Sequence, residues 1–229
     1  MSEIPDGLRP AQLGVVLVGR PVLGHAAATL VSLARRGLVT AAEEKDGTWR
    51  LDSARSKGAR FEGTRREPTR FEPARFESAL LGGLPSEPVP LSALPDELAP
   101  ALRQFADALI KDAVRHGWLK RAHHDRRTSR GEDLAARTRS LRAALRRAKA
   151  TGDEDTVGGL LEYALVFGLL RDSAVPLARF ADAFNTACAD LPGWRQPAYK
   201  HEFPDLGGFS RDEWRGMGLG GAAILGSSF

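Results

Sequence analysis

Cysteine is almost absent from this sequence, since Cys188 is the only one among 229 residues. A single cysteine excludes an intrachain disulfide and any cysteine-rich zinc site, and it fits a reducing compartment. Long apolar runs are also missing, because LGVVLVG and YALVFGLL fall far short of the roughly 20 residues that span a bilayer. The first residues, MSEIPDGLRP, lack the pattern of a secretory signal peptide. We therefore expect a soluble, cytoplasmic protein without a membrane span.

Recognisable catalytic motifs are also scarce. No phosphate-binding G-x-x-x-x-G-K-[ST] loop occurs, and GMGLGG near the C-terminus follows no predicted strand. His123 and His124 are adjacent, so their side chains point apart and make poor joint metal ligands. Cys188 falls on the apolar stripe of a predicted helix, where cysteine acts as a small hydrophobe. The sequence therefore predicts no catalytic residue, no metal site and no cofactor, and an enzyme stays an alternative that no named residue supports.

Positive charge is plentiful but uneven. The net charge is +4, yet the stretch 115–149 holds twelve lysines and arginines against three acids. Such a region can meet nucleic acid, anionic lipid or an acidic protein through its charge, or it can be a solvated helix face. The candidate partner- or phosphate-binding residues are Arg126, Arg127, Arg130, Arg139, Arg142, Arg146 and Arg147.

Residues 8–53 have the order helix, helix, hairpin. RPAQLGVVLVG is a short apolar helix that begins near Pro10. LGHAAATLVSLARRG is a longer helix that stops at Gly37. Asp46-Gly47 predicts a two-residue hairpin turn between two short strands. This order is that of a winged helix, so residues 8–53 are predicted to form a first winged-helix-like unit.

A second unit is predicted at 76–122, after a basic linker or loop at 54–75 that has almost no aliphatic residues. It contains a short helix (FESALLGGL), a tight connector (VPLSALPDEL) and a long helix that stops at Gly117. The stretches TLVSLARRGLV and LIKDAVRHGWL are similar, which indicates an internal duplication of one structural step. No convincing wing follows Lys120.

A helical module is predicted at 123–206, and a Gly-rich tail at 207–229. The module begins with a basic helix at 131–150. TVGGLLEYALVFGLL is predicted to be one apolar helix at the centre of the module, and VPLARFADAFNTACADL an amphipathic helix. The fold class is therefore mainly α with small β-hairpin wings: tandem winged-helix-like units followed by a C-terminal helical module. The predicted apolar stripe of the basic helix is Leu134, Thr138, Leu141, Leu145 and Ala148.

The order of these pieces resembles the cytoplasmic part of the YciQ-like family of predicted bacterial membrane proteins (domain of unknown function 2207). LVSLARRGLV, FESALLGGL and DAVRHGWLKR are similar to its two units, and RRTSRGEDL resembles its Arg-Thr-x-x-Gly step. EYALVFGLL, with Glu162 where proline is usual, and ARFADAFN followed by PGW resemble its later segments. The resemblance covers about residues 8–206, lacks the family's membrane segments, and implies a fold but no activity.

A weaker likeness connects the chain with the Golgi-phosphoprotein-type phosphoinositide-binding family. It rests on ATLVSLARRGLV and on LLEYALVFGLLR. The segments after Arg171 favour the first family.

Base-specific reading of DNA is not favoured in either unit. A reading helix needs polar side chains that reach base edges, and the polar stripe of residues 24–37 is narrow. The helix of the second unit offers Gln104, Lys111 and Arg115, but also Asp107 and Asp112, which would repel phosphate. The leading hypothesis is a non-catalytic adaptor or regulatory protein that binds another protein. The alternatives are a nucleic-acid-binding regulator that uses 126–149, and an accessory component or enzyme of a bacterial biosynthetic pathway.

Overall fold

A computed structural model describes residues 4–53, 72–123, 126–170 and 173–192 together with Trp194. These residues are mainly helical and carry one small antiparallel sheet, which confirms the mainly α fold class. No helix among them is long and apolar enough to cross a membrane. The tail at 207–229, and nearly all of the linker at 54–75, lie outside the described residues.

The helices and strands follow one another along the chain in this order. The elements are α1 (Pro10–Val18), α2 (Leu23–Arg35), β1 (Val39–Glu43), β2 (Trp49–Ser53), α3 (Arg75–Gly82), β3 (Val89–Pro90), α4 (Leu94–Arg115), α5 (Ser129–Ala150), α6 (Glu154–Gly159), α7 (Leu161–Val166) and α8 (Pro176–Ala187), with 3-10 turns at Pro5–Gly7 and Leu91–Ala93.

Helix α2 lies inside one continuous apolar core. It contacts α1, α3, α7, α8 and β1, and every residue from Leu23 to Ala34 is buried. Its alanines, at 26, 27, 28 and 34, leave room for close approach of the neighbouring helices. The polar positions His25, Thr29 and Ser32 are buried as well, so protein surrounds this helix on all sides from Leu23 to Ala34.

The sheet has the order β1-β2-β3. The hairpin pairs Ala41 with Leu51, and both side chains face the core. The predicted two-residue turn is wrong in length: Glu44 N–H donates to the Thr48 carbonyl at 2.8 Å, so Lys45–Gly47 form a three-residue loop. Gly47 has φ 81°, the left-handed conformation that closes such loops.

The third strand comes from the segment predicted as a plain connector. Val89 pairs with Leu51 and Pro90 with Arg50. Proline is tolerated there because β3 is an edge strand, where no further ladder donor is needed. One sheet thus contains strands from both predicted units. After α4, the described residues contain an isolated bridge between Leu119 and Arg127.

The predicted single apolar helix over TVGGLLEYALVFGLL is wrong. Two short helices, α6 and α7, take its place, and the chain breaks at Leu160 (φ −117°, ψ 31°). Gly158 and Gly159 precede the break, and paired glycines weaken a helix through their backbone entropy. Only α7 contributes buried side chains; α6 contributes none.

Candidate anion-binding surface and buried polar sites

Helix α5 carries most of the predicted basic residues. Thr128 caps its start, since its Oγ1 accepts from the Gly131 N–H at 3.1 Å and donates to the Gly117 carbonyl at 2.5 Å. The predicted stripe from Leu134 to Ala148 is buried at all five positions, which confirms it. The helix therefore packs on one side, against α1, α6 and α7, and its other sides carry the charge.

The candidate arginines differ in exposure. Arg126, Arg130, Arg146 and Arg147 are exposed, and Arg139 and Arg142 are partly buried. Arg139, Arg142 and Arg146 follow at i, i+3 and i+7, so they share one flank of α5. Arg130 precedes Arg139 by nine residues, which places it roughly half a turn away on a helix of 3.6 residues per turn. The charge is therefore spread over the sides of α5 that do not pack against the core, rather than forming one basic face.

Arg127 points inward. Its Nε donates to the Val16 carbonyl at 2.5 Å and its Nη2 to the Leu17 carbonyl at 2.6 Å. These are carbonyls of the last turn of α1, which have no partner within that helix. Its Nη1 lies 3.1 Å from a carboxylate oxygen of Glu132. The guanidinium is thus occupied in joining α1 to α5.

Glu77 is a buried carboxylate that the sequence analysis did not select. It is 1% exposed and lies 2.9 Å from Nη2 of Arg36 and 3.6 Å from Nε of Arg9. Its Oε2 also accepts from the Ala74 N–H at 2.8 Å, which caps α3. The available signal was its place in the first turn of a helix, where a glutamate side chain can bond back to the backbone. Glu77 joins α3 to the ends of α1 and α2.

Asp112 is buried too, which corrects its interpretation as an exposed acid. Its Oδ2 accepts from Nε2 of Gln12 at 2.7 Å, and its Oδ1 forms an ion pair with Arg115. His116 Nε2 lies 3.7 Å from Oδ1, and the His116 ring stacks on Trp118 with centroids 4.7 Å apart. The carboxylate therefore binds α1 to the end of α4, and its charge is offset internally.

Other reactive residue types are buried in unreactive surroundings. Burial raises the pKa of the Cys188 thiol to about 12, so the thiol stays protonated near neutral pH. Burial lowers the pKa of His25 to about 3, so its imidazole stays neutral. Glu162 pairs with Arg35 at 2.7 Å, and the neighbouring Tyr163 hydroxyl donates to the Leu8 carbonyl at 2.6 Å. The last two contacts join α7 to α2 and to the segment before α1.

No cluster of three or more metal-ligating side chains occurs among the residues that the structure describes. His124 and Asp125, the neighbours of His123, lie outside those residues. Comparison with known protein families, with characterised proteins and with solved structures found no match for this chain.

Proposed function

We propose that this chain is a non-catalytic adaptor or regulatory protein, built from tandem winged-helix-like units, that binds another protein. The observation that carries the proposal is the burial of α2 from Leu23 to Ala34. In a winged helix, the helix before the wing is the one that enters the major groove of DNA. Here that helix is enclosed by protein, so the duplicated unit serves packing and leaves recognition to other surfaces.

The tandem arrangement is supported by the way α2 and α4 end. Gly37 and Gly117 have φ 72° and 71°. The N–H of Leu38 donates to the Leu33 carbonyl, and that of Trp118 to the Ala113 carbonyl, both at 2.9 Å. The same hydrogen-bonded reversal therefore follows both helices, as the duplicated sequence step predicts.

The exposed face of α4 favours a protein partner over a polyanion. Arg103, Gln104, Asp107, Lys111 and Arg115 are exposed on it, and a surface of mixed sign would repel part of a phosphate backbone. Val175 is the only large apolar side chain that is exposed among the described residues. A partner would therefore be recognised through charge and hydrogen bonds rather than through an apolar patch.

A second candidate function is nucleic-acid binding through α5. Arg130, Arg139, Arg146 and Arg147 favour it, since none of them forms an ion pair with another described residue. Phosphate contacts of this kind bind duplexes without regard to sequence and weaken steeply with salt. Anionic lipid would offer the same helix a similar charge.

The test separates the two candidates with one variant, R146E/R147E. Tagged wild type and variant are expressed at native level, and co-purifying proteins are quantified against the bait. We expect one partner at equal stoichiometry with both chains, and no gel shift of duplex DNA at about 50 mM salt. A DNA shift that the variant abolishes, without any stoichiometric partner, would support the second candidate instead.

A further inference from the structure

Helices α3 and α4 leave a charged cleft at one end of their contact. They approach most closely at the other end, where a Cβ added to Gly83 would lie 2.1 Å from the Ala101 Cβ. The rings of Phe76 and Phe105 meet edge to face at 6.0 Å between centroids and set the spacing of the two helices. The cleft measures about 400 Å³ and is lined by Arg75 and Ala79 of α3 and by one face of α4 between Gln104 and Arg115.

The lining of the cleft contains two cations that are available for a ligand. Arg75 and Lys111 are exposed, and neither side chain forms an ion pair or hydrogen bond with any residue in the described part of the chain. Asp112 and Arg115 neutralise each other at the inner side of the cleft. Asp107 is the remaining acid of the lining, so the cations outnumber the acids that are left.

A carboxylate fits this arrangement best. A guanidinium binds a carboxylate with two parallel hydrogen bonds, and an ammonium adds a point charge from the opposite wall. The volume lies at the lower end of the range for small-ligand pockets, which suits one or two side chains rather than a large cofactor. Asp107 would repel a dense polyanion but leaves room for an isolated carboxylate, because an acid in the lining disfavours a partner that carries many negative charges.

We propose that the α3–α4 cleft is the docking site for an acidic side chain of the protein partner, held between Arg75 and Lys111. This inference rests on the proposed adaptor function and gives it a location. Charge complementarity selects the occupant: an acidic segment meets two cations that no other described residue neutralises. The arginines of α5 are not required for it.

The test uses a fluorescein-labelled glycine–serine peptide that carries two separated glutamates, and it measures fluorescence anisotropy at about 20 mM salt, where surface charges are weakly screened. The cleft variant is R75Q/K111Q, and the control variant R146Q/R147Q removes the same charge from α5. We expect the cleft variant to weaken binding at least about tenfold and the control to change it less than about twofold. Both pairs are exposed, so thermal unfolding should show that both variants fold like wild type.

Three results would overturn the proposal. Wild type that does not bind the peptide is one, and an equal loss in both variants, which indicates a response to net charge alone, is another. Succinate that displaces the peptide at the peptide's own concentration would mean a small-molecule pocket. These outcomes are distinct from failure of the adaptor function, which would appear as no stoichiometric protein partner in cells while the peptide still binds in the cleft.

Discussion

Helices α2 and α4 end in the same way but have different surroundings. Both are followed by a left-handed glycine and by the same 2.9 Å hydrogen bond back over the last turn. Helix α2 is buried at every position from Leu23 to Ala34. Helix α4 buries one face, chiefly against α3, and presents Arg103, Gln104, Asp107 and Lys111 to solvent.

The difference shows that the turn after a helix and the burial of that helix depend on different parts of the sequence. The reversal is local, since a glycine at the right place suffices for it. Burial depends on side-chain size and polarity along the whole helix. Aligned at their glycines, α2 has Leu23, Ala27 and Val31 where α4 has Arg103, Asp107 and Lys111. Two similar sequence steps can thus share a turn while one helix lies in the core and the other keeps an exposed face.

The largest effect is expected from a positive charge placed inside α2, with a positive charge on the exposed face of α4 as the comparison. Ala28→Lys puts an ammonium at a position that is 0% exposed, and an unpaired buried charge costs more than a small domain can supply. We expect this variant to be insoluble or unfolded by circular dichroism. Gln104→Lys on the exposed face of α4 should unfold within about 0.5 kcal/mol of wild type. A cooperatively folded Ala28→Lys chain would contradict the enclosure of α2.

The second effect concerns the histidine that α2 buries. The unfolded chain takes up a proton at His25 below its usual pKa of 6.5, whereas the folded chain does so only near 3. Stability therefore falls as pH falls from 6.5 towards 3, by about 1.4 kcal/mol per pH unit. Between pH 7 and 4.5, His25→Gln should remove about 3 kcal/mol of the stability that wild type loses, measured by urea unfolding at both values.

The exposed His123 provides the control for that measurement. His123→Gln should keep the acid-dependent loss of wild type. An unchanged loss in the His25→Gln chain would show that other groups, and not the imidazole inside α2, control acid stability.

The third effect tests how strongly α4 depends on α3. A methyl group at Gly83 would collide with Ala101, so Gly83→Ala should cost about 1–3 kcal/mol in thermal or urea unfolding. Gly82→Ala is the matched control, because nothing lies within 4 Å of its added Cβ. Removing a helical glycine there should be neutral or stabilise by up to about 1 kcal/mol. Equal effects at the two positions would mean that the helices do not touch at Gly83.

The smallest effect tests the glycine turn that follows both α2 and α4. Gly37→Ala and Gly117→Ala each place a Cβ in open space but at positive φ. The left-handed conformation costs a residue with a Cβ about 1–2 kcal/mol, and the two variants should therefore lose similar stability. A difference above about 1 kcal/mol would show that the two turns are not equivalent despite their equal geometry.

Regular local patterns were the most predictable part of the fold. The hairpin position, the glycine stops of α2 and α4, and the buried stripe of α5 all follow from spacing within one segment. The prediction of a single helix through Leu160 was wrong because it relied on apolar content. It gave too little weight to Gly158 and Gly159, which weaken a helix at that point. Strand β3 was missed because its partner β2 lies about 40 residues earlier in the chain. Pairing over that distance does not produce a recognisable pattern within the two residues of β3.

The candidate sites were predictable only as charge counts. The sequence located the excess of arginines, but the direction of Arg127 depends on the end of α1, 111 residues earlier in the chain. Asp112 and Glu77 looked like ordinary acids on amphipathic helices. Their burial follows from Gln12, Arg9 and Arg36, which reach them only after the helices have packed.

The hydrogen bonds that join α1 and the residues just before it to later parts of the chain have a consequence for biosynthesis. Gln12 bonds to Asp112, the last turn of α1 to Arg127, and the Leu8 carbonyl to Tyr163, across 155 residues of sequence. Ribosomes add about 5–20 residues per second, so Leu8 waits on the order of 10–30 s for its partner to be made. During that interval the later helices that pack against α1 and α2, among them α7 and α8, have not yet been made. A nascent chain that stalls before Tyr163 would therefore be a natural client for chaperones.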